Sequence, residues 1–387
     1  MVTVVSTEPQ PSAPHRVGVV GGGQLALMMG EEARAQGVWL CVLASSHDDP
    51  AVSACDEAII GGPGDPAALA ALAERVDVIT FDHELVDLEL LGQLETRGVV
   101  LRPGTRALRY AVDKAYQRQR FFEAGLAVPR FVCVRDATDP RLDGFLDSLA
   151  GPPVIKLARG GYDGRGVLFP RNRAEAMALI AEAGDEVVVE ERLELRGELA
   201  QLLVRGSNGA TQLYPLVSTV QSEGMCVEVH YPALNTERWG DDAARLAARI
   251  ATLTGAIGIV AIELFVTDDG LYVNEIALRP HNTGHWSIEG ARTSQFANHL
   301  RAVSGQPLGA TTPSAACAAM VNIVGADAPG SPEVARAIEG AHVHDYRKAW
   351  RPGRKLGHVT VVGADAHAVH VKAWRSARAY GTSTKEA

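Results

Sequence analysis

From residue 16 to residue 101, short apolar runs alternate with longer stretches whose apolar positions recur every three or four residues. The runs 17–20, 38–43, 58–60, 76–81 and 99–101 read as strands, and 24–36, 66–74 and 85–97 read as helices. Strands that alternate with helices predict a parallel sheet with helices on its faces. Arg102-Pro103-Gly104-Thr105 closes this unit. A helical stretch over 106–124 leads into short strands at 130–134, 154–157 and 166–169, a helix at 174–183 and a strand at 187–190. Longer strands follow at 199–205, 212–220 and 226–231, then a helix at 241–254, a strand-turn-strand at 259–274, and two or three strands beyond residue 315. The fold class is therefore α/β, with α+β character in its later parts. The expected division is 16–105, then 106–310 with a smaller part at 125–190 and a larger one at 191–310, then a small β unit at 311–376. A disordered leader at 1–15 and a loose tail at 377–387 are expected to flank it.

Composition narrows the function classes. At about 100–200 residues per domain, 387 residues make two or three domains. Hydrophobic residues at 47% and charged residues at 21% describe a globular chain with a large core. A net charge of −9 speaks against a general nucleic-acid binder, which would show a basic domain. Cys41, Cys55, Cys133, Cys226 and Cys317 show no C-x-x-C spacing, so neither a zinc ribbon nor a disulfide framework is indicated, and a reduced, cytoplasmic chain is expected. The best apolar run, 257–266, is interrupted by Glu263, which excludes a membrane helix, and the N-terminus has neither the basic start nor the apolar stretch of a signal peptide.

Five motifs carry chemistry. Gly21-x-Gly23-x-x-Ala26 sits at a strand-to-helix turn that aims a helix N-terminus at a phosphate, and a tight turn packing helix on sheet fits it equally well. A nicotinamide site needs an acid about 20 residues further on. The chain there reads Leu43-Ala44-Ser45-Ser46. Lys156 precedes Arg159-Gly160-Gly161-Tyr162-Asp163-Gly164-Arg165-Gly166, where glycines let backbone N–H groups close over phosphates and Lys156 adds a point charge. A flexible hairpin loop is the plainer reading, although it needs no such mixture of Tyr162, Asp163 and Arg165.

The hairpin 261–275 turns at Thr267-Asp268-Asp269-Gly270 and sets Glu263 opposite Asn274 or Glu275, depending on one residue of register. Two carboxylates inside a sheet require a compensating cation or a shared proton, and oxygen ligands with the Asn274 amide nearby suit Mg²⁺. A salt-bridged structural pair using Arg279 is the alternative. Directly after it, Arg279, His281, Asn282, His285 and Trp286 gather at a strand's C-terminal end, a place for a reacting anion. Lys348, Arg351, Arg354 and Lys355 surround a Pro-Gly turn, which is either a phosphate clamp or a solvated charge run.

Together these residues resemble the ATP-grasp superfamily and, within it, the N5-carboxyaminoimidazole ribonucleotide synthetases, the ATPase subunit of phosphoribosylaminoimidazole carboxylase. GGYDGRG at 160–166, NEIALRPHNTGHWSIEGARTSQFANHLRA at 274–302 and RPGRKLGHV at 351–359 carry the resemblance, which runs from residue 17 to about residue 374. It implies an ATP-grasp fold with an N-terminal Rossmann-like pre-ATP-grasp domain and a small C-terminal domain. It also implies ATP-dependent carboxylation of aminoimidazole ribonucleotide by bicarbonate, through carboxyphosphate, in purine biosynthesis.

By the same resemblance, Lys114 and Lys156 contact ATP phosphates, and Gly161, Tyr162, Asp163, Gly164, Arg165, Gly166 and Val167 form the loop over them. Glu190, Glu191, Arg192 and Leu193 resemble the hinge whose backbone and first carboxylate hold adenine, and Glu198 resembles the ribose-binding acid. Glu263 and Glu275 fall on the Mg²⁺ ligands, with Asn274 beside them and Mn²⁺ as a substitute ion. Tyr162, Asp163, Arg165, Lys348, Arg351, Arg354 and Lys355 fall where the ribonucleotide binds, and Arg279, His281, Asn282 and Asp163 where the chemistry occurs. Gln221 stands where some relatives carry a histidine that contacts nucleotide. The family's pattern further implies a homodimer that hands its product to a mutase, with neither nucleic acid nor membrane as partner. The competing readings are another ATP-grasp ligase, of the formate-dependent glycinamide ribonucleotide transformylase or biotin carboxylase type, a nicotinamide oxidoreductase lacking its acid near Ser45, and a non-catalytic nucleotide-binding scaffold.

Overall fold

The computed structural model describes residues 15–161, 166–222 and 224–383. Its first sheet is parallel: β1 (His15–Val20), β2 (Val38–Ala44), β3 (Glu57–Ile60) and β4 (Val78–Phe81) lie in the order β3-β2-β1-β4. The stretch expected as a fifth strand, 99–101, makes only an isolated parallel bridge between Ile79 and Leu101. The helix after β1, Gln24–Ala33, ends in a tighter 3₁₀ turn, Arg34–Gln36, where Gly37 takes φ 64°. Its N-terminus is capped from across the sheet, since Asp82 at the end of β4 accepts from Gly23 N at 2.8 Å and Ala26 N at 3.0 Å. A side chain at Gly21, which has φ +106°, would collide with Asp82 and His83. The glycine turn is therefore shaped around an internal carboxylate.

The helix expected over 106–124 is two helices, Thr105–Val112 and Lys114–Glu123. They part at Asp113, which adopts an extended conformation because its short carboxylate competes for backbone donors and caps the second helix through Tyr116 N. A small antiparallel sheet follows: β5 (Phe131–Val134), β6 (Val154–Leu157), β7 (Val167–Leu168) and β8 (Val187–Glu190), ordered β5-β8-β6-β7. The helices Pro140–Asp147 and Arg173–Glu182 cover it, with Leu142, Ile155, Ile180 and Val189 in its core.

Nine strands form the third sheet: β9 (Gly197–Arg205), β10 (Thr211–Leu213), β11 (Val217–Ser222), β12 (Met225–Tyr231), β13 (Gly258–Val266), β14 (Leu271–Ala277), β15 (Cys317–Val324), β16 (Ala341–Asp345) and β17 (Lys355–Gly363). The order is β14-β13-β9-β11-β12-β15-β17-β16, with β10 paired to β9. The strand expected over 212–220 is broken at Tyr214, whose ring is buried and whose hydroxyl donates to Thr293 O at 3.0 Å. The C-terminal strands β15, β16 and β17 have a core of their own with the helix Ala366–Tyr380. They extend the large sheet where β15 pairs antiparallel with β12.

The tail expected from residue 377 is instead the last turn of a helix, Ala366–Tyr380. Ala373 and Ala377 repeat the apolar face at i, i+4, and that face packs with Trp374 and Tyr380 against β15 and β17. Ser383 N then donates to Val324 O at 2.7 Å.

A buried histidine fastens the first sheet to the third. Ile259 N donates to His299 Nδ1 at 3.1 Å, so the ring proton sits on Nε2, 2.8 Å from Thr80 Oγ1. Burial pushes the His299 pKa down to about 3, and His285 and His358 are likewise held well below the imidazole range, chiefly by burial. A histidine depressed in the folded state gives stability that is complete above its unfolded pKa, near 6.5, and is lost as pH falls below it. Unfolding free energy should therefore drop between pH 7 and pH 5 by about 2 kcal/mol for His299 alone, a figure that follows from roughly 1.4 kcal/mol per pH unit over about 1.5 units. Urea titrations of the parent and of His299→Gln at the two pH values isolate this contribution from the raised Glu263 and Glu198 carboxyls, which act in the opposite direction, and an identical pH dependence in both proteins would contradict a buried neutral imidazole.

Candidate active site

A cavity of about 580 Å³ opens where the C-terminal ends of β1 and β4 meet β13, β14 and the turn before β17. At its centre Glu263 on β13 faces Glu275 on β14. The pairing shifts immediately afterwards, so that Leu264 faces Val273 and Asn274 is the extra residue of a bulge. Glu263 is only 15% exposed. Burial first, and then the facing Glu275, push its pKa up to about 8. A carboxyl raised by burial and by a facing carboxylate marks a site that a divalent cation would complete, and an all-oxygen donor pair at the mouth of an open cavity fits Mg²⁺.

The alternative in which Arg279 neutralises the two glutamates is overturned by its contacts. Arg279 Nη2 lies 2.6 Å from Glu84 Oε2, and Nη1 donates to Pro280 O at 3.0 Å. Beside it His281 is fixed on both sides. Its backbone N donates to Gln295 Oε1 at 2.8 Å, Gln295 Nε2 donates back to His281 O at 2.7 Å, and ring Nδ1 lies 2.9 Å from Thr283 Oγ1. Nε2 is then 4.0 Å from Glu263 Oε1. The same Gln295 Nε2 donates to His285 Nδ1 at 2.9 Å. Asn282 adjoins this cluster with both polar atoms of its amide buried, and among the described residues neither meets a partner in good hydrogen-bond geometry, although the Cys226 thiol interacts with it. A buried amide without well-aligned partners is costly unless a ligand meets it.

Lys114, Gly161, Gln221, Lys348, Arg351, Arg354 and Lys355 line the same cavity. Lys114 opens the helix Lys114–Glu123, and its N donates to Ala158 O at 2.8 Å. Lys348 Nζ donates to Gln24 Oε1 at 2.6 Å, which ties the basic turn to the first helix. Lys156 and Asn274 lie behind the cavity lining, with Lys156 Nζ donating to Asn274 Oδ1 at 2.9 Å. Glu198, on β9 opposite Phe265, also stands off the cavity lining, and burial raises its pKa to about 7. Tyr162, Asp163, Gly164 and Arg165 lie outside the described residues. Gly166 and Val167 close the loop onto β6, where Leu157 N donates to Gly166 O at 2.8 Å and Val167 pairs with Lys156.

At the expected hinge the acids have protein partners of their own. Glu190 Oε1 accepts from Arg118 and Oε2 lies 2.9 Å from Lys156 Nζ, with all three side chains nearly inaccessible. Burial opposes the Glu190 charge, but Arg118 and Lys156 outweigh it and hold the carboxyl below its usual range. Glu191 is bonded to Arg130 through N and Nε, and the Arg192 guanidinium lies over the Phe169 ring at 5.6 Å. These contacts anchor the strand end from which the backbone of 191–193 continues.

Several residues at the site were assigned no role by the motifs, although Gln24 and Gln295 lie inside two of them. Glu84, Gln24 and Gln295 position the named cations and imidazoles, and Asp82 caps the helix beside them. Glu84 was findable as an acid just past the C-terminal end of a parallel strand, where sites form. Arg118 and Gln295 lie in helical stretches and left no such signal.

A small antiparallel sheet set against a large one, with a lysine, a glycine loop and paired glutamates between them, defines an ATP-grasp, ATP-binding ligase. Residues 119–296 match the family model of the ATP-grasp domain. Residues 15–112 match the ribonucleotide synthetase preATP-grasp domain, and 318–372 the phosphoribosylaminoimidazole carboxylase C-terminal domain. The chain belongs to the N5-carboxyaminoimidazole ribonucleotide synthase family. It is 45% identical over 361 residues to the N5-carboxyaminoimidazole ribonucleotide synthase of Mycobacterium tuberculosis, covering 90% of this chain and 84% of that one. It is 39% identical to that of Synechococcus elongatus, covering 90% of each. Among solved structures, the synthetase from Thermus thermophilus superimposes with a TM-score of 0.87 at 34% identity, covering 96% of this chain and 100% of that one. The Aspergillus clavatus synthase in complex with ADP and 5-aminoimidazole ribonucleotide superimposes with a TM-score of 0.86 at 29% identity, covering 95% and 99%. No helix among the described residues is long and apolar enough to cross a membrane.

Removing Arg118 leaves Glu190 and Lys156 buried with incomplete partners. Arg118→Ala should cost about 3–5 kcal/mol of stability, the usual range for breaking a buried ion pair. Chemical denaturation of the variant checks this, and a loss below about 1 kcal/mol, the scale of an exposed pair, would show the network to be solvated.

Proposed function

We propose that this chain catalyses ATP + bicarbonate + 5-aminoimidazole ribonucleotide → ADP + phosphate + N5-carboxyaminoimidazole ribonucleotide. The observation that carries this reading is the joining, in one cavity, of the Glu263–Glu275 pair with the basic turn 348–355, bridged by Arg279, His281 and Asn282. A phosphoryl-transfer site and an anion clamp within one cavity suit a reaction that activates one anion and delivers it to another.

Bicarbonate is a poor electrophile, so an oxygen of it first attacks the γ-phosphorus. One P–O bond forms as the bond to the bridging oxygen of ADP breaks, leaving carboxyphosphate. The substrate amine then attacks the carboxyl carbon, or CO₂ released from it. The C–O bond to phosphate breaks, phosphate departs, and one amine proton is lost. Glu263 and Glu275 would hold Mg²⁺, with Mn²⁺ as a substitute, and the ion when bound neutralises charge on the nucleotide phosphates. Lys114 and Lys156 supply protein charge on the nucleotide side. Arg279, kept in place by Glu84, and the Asn282 amide suit the carboxyphosphate oxygens. His281 is positioned by Thr283 and Gln295 and competes with Asp163 for the role of proton acceptor. Lys348, Arg351, Arg354 and Lys355 receive the ribonucleotide phosphate.

The decisive experiment measures phosphate release from ATP with Mg²⁺ and bicarbonate, with and without the ribonucleotide. Strong stimulation by 5-aminoimidazole ribonucleotide supports the assignment. Stimulation by glycinamide ribonucleotide with formate would reassign the chain to the transformylase type. Two substitutions test the roles. Glu275→Gln should abolish ADP formation while thermal stability holds or rises, because it relieves repulsion between two facing carboxylates; unaltered turnover would refute the metal role. Arg354→Ala should raise KM for the ribonucleotide far more than KM for ATP, and an equal rise in both would remove the clamp.

A further inference from the structure

Away from the nucleotide cavity, three metal-ligating side chains from two distant elements converge. Glu228 and His230 are two residues apart on β12 and so share one face of the sheet. His370 stands on the helix Ala366–Tyr380, which packs over β15 and β17. Nε2 of His230 lies 2.8 Å from Glu228 Oε2, and Nε2 of His370 lies 3.2 Å from the same oxygen. The two rings meet edge to face with centroids 5.1 Å apart. The three ligand atoms all lie within 4.8 Å of one another, and among the described residues no other group of three His, Cys, Asp or Glu does so. None of the three lines the nucleotide cavity.

We propose that Glu228, His230 and His370 form a second metal site, selective for Zn²⁺ and separate from the paired glutamates. Two imidazoles and one carboxylate, leaving a position open for water, are a zinc ligand set, whereas Mg²⁺ prefers oxygen alone. Zn²⁺ bonds to imidazole nitrogen and carboxylate oxygen lie at about 2.0–2.2 Å, which places tetrahedral ligand atoms roughly 3.4 Å apart. The two separations from Glu228 Oε2, 2.8 and 3.2 Å, lie slightly below that value, so an ion enters by small side-chain rotations that spread the ligand atoms. Accessibility is divided suitably. The Glu228 side chain is 2% exposed and preset by the sheet, while the His230 and His370 side chains are 28% and 24% exposed and admit the ion and its water. Without an ion, His230 Nε2 is hydrogen-bonded to the carboxylate, whereas His370 Nε2, 3.2 Å away, is buried and lacks hydrogen-bond geometry to it. With one, both Nε2 atoms become ligands, and the ring proton moves to Nδ1 or is released.

Zinc here would clip the C-terminal helix to a strand that belongs to the ATP-grasp part of the sheet. The ion should therefore raise the thermal midpoint of the whole chain, because it binds the folded state alone.

The test uses the full-length chain, stripped of metal and kept in excess Mg²⁺ so that the paired glutamates are occupied. Zn²⁺ is titrated against a chromophoric chelator, and Co²⁺ is added separately as a spectroscopic probe. One equivalent of Zn²⁺ should bind, Co²⁺ should give the intense visible absorption of a tetrahedral site, and zinc should raise the thermal midpoint. Loss of even an outer-shell partner costs about 10–100-fold in metal affinity, so His370→Ala and His230→Ala should each cost at least tenfold and abolish the thermal shift. Glu275→Gln should bind zinc like the parent. His370→Gln provides a second variant of similar size should His370→Ala fold poorly. Absence of stoichiometric uptake, or uptake that persists unchanged in the folded histidine variants, as binding by the thiols of Cys55, Cys133 or Cys317 would, overturns the proposal.

Discussion

Arg118 is the residue through which the nucleotide half of the molecule is held together. Its guanidinium reaches Glu190 on the small sheet, Val273 O at 2.8 Å and Asn274 O at 2.9 Å on the large one, while its own helix continues from Lys114 at the cavity wall. Lys156 adds a second bridge, from β6 to Glu190 and to the Asn274 amide. These charges are buried, so the network is stable only while each member keeps its partners, and the desolvation cost makes partial formation unfavourable. The relation between the two sheets is thereby made definite, which is what a site assembled from both requires. A greasy contact of the same area would allow several packings.

The bulge between Glu263 and Leu264 belongs to the same arrangement. With a regular ladder Asn274 would take its place in the alternation along β14. The extra residue instead turns its carbonyl to Arg118 and its amide to Lys156, while Glu275 still faces Glu263. One backbone irregularity thus separates the groups that fix the frame from the groups that meet the ligand. The repulsion between the two carboxylates is the local cost of that placement, and it shows in the raised Glu263 carboxyl, which a shared proton or a cation would relieve.

Much of this was legible in the chain. The alternation of strand and helix in the first hundred residues, the hairpin carrying Glu263 and Glu275, and the clustering of Arg279, His281 and Asn282 all rest on local pattern, which sequence displays directly. The register of the glutamates was open by one residue because a bulge has no reliable local signature. The break at Asp113 was missed because a single capping acid competes weakly against a long helical pattern. The helix through Tyr380 was missed because small residues that look like a tail are also what close packing on a sheet requires. The partners of Glu190 were not legible at all: Arg118 and Lys156 are 72 and 34 residues away in the chain, and no spacing rule couples them.

The long-range contacts also explain how an acidic chain serves anionic ligands. Three of the cations in and behind the cavity are held by neutral or acidic groups: Arg279 by Glu84 and Lys348 by Gln24, both from the first segment, and Lys156 by Glu190 on the neighbouring strand β8. These acceptors cancel charge at a distance and add to the net negative count, yet they leave the cations aimed and partly desolvated where an anion would approach. Field at short range depends on such placement far more than on the sum of charges. Two of the three acceptors come from the first segment, which contributes neither glutamate of the metal pair. Its contribution is to orient the positive groups of the other two segments toward a common point, so the reaction centre exists only when all three are folded against one another.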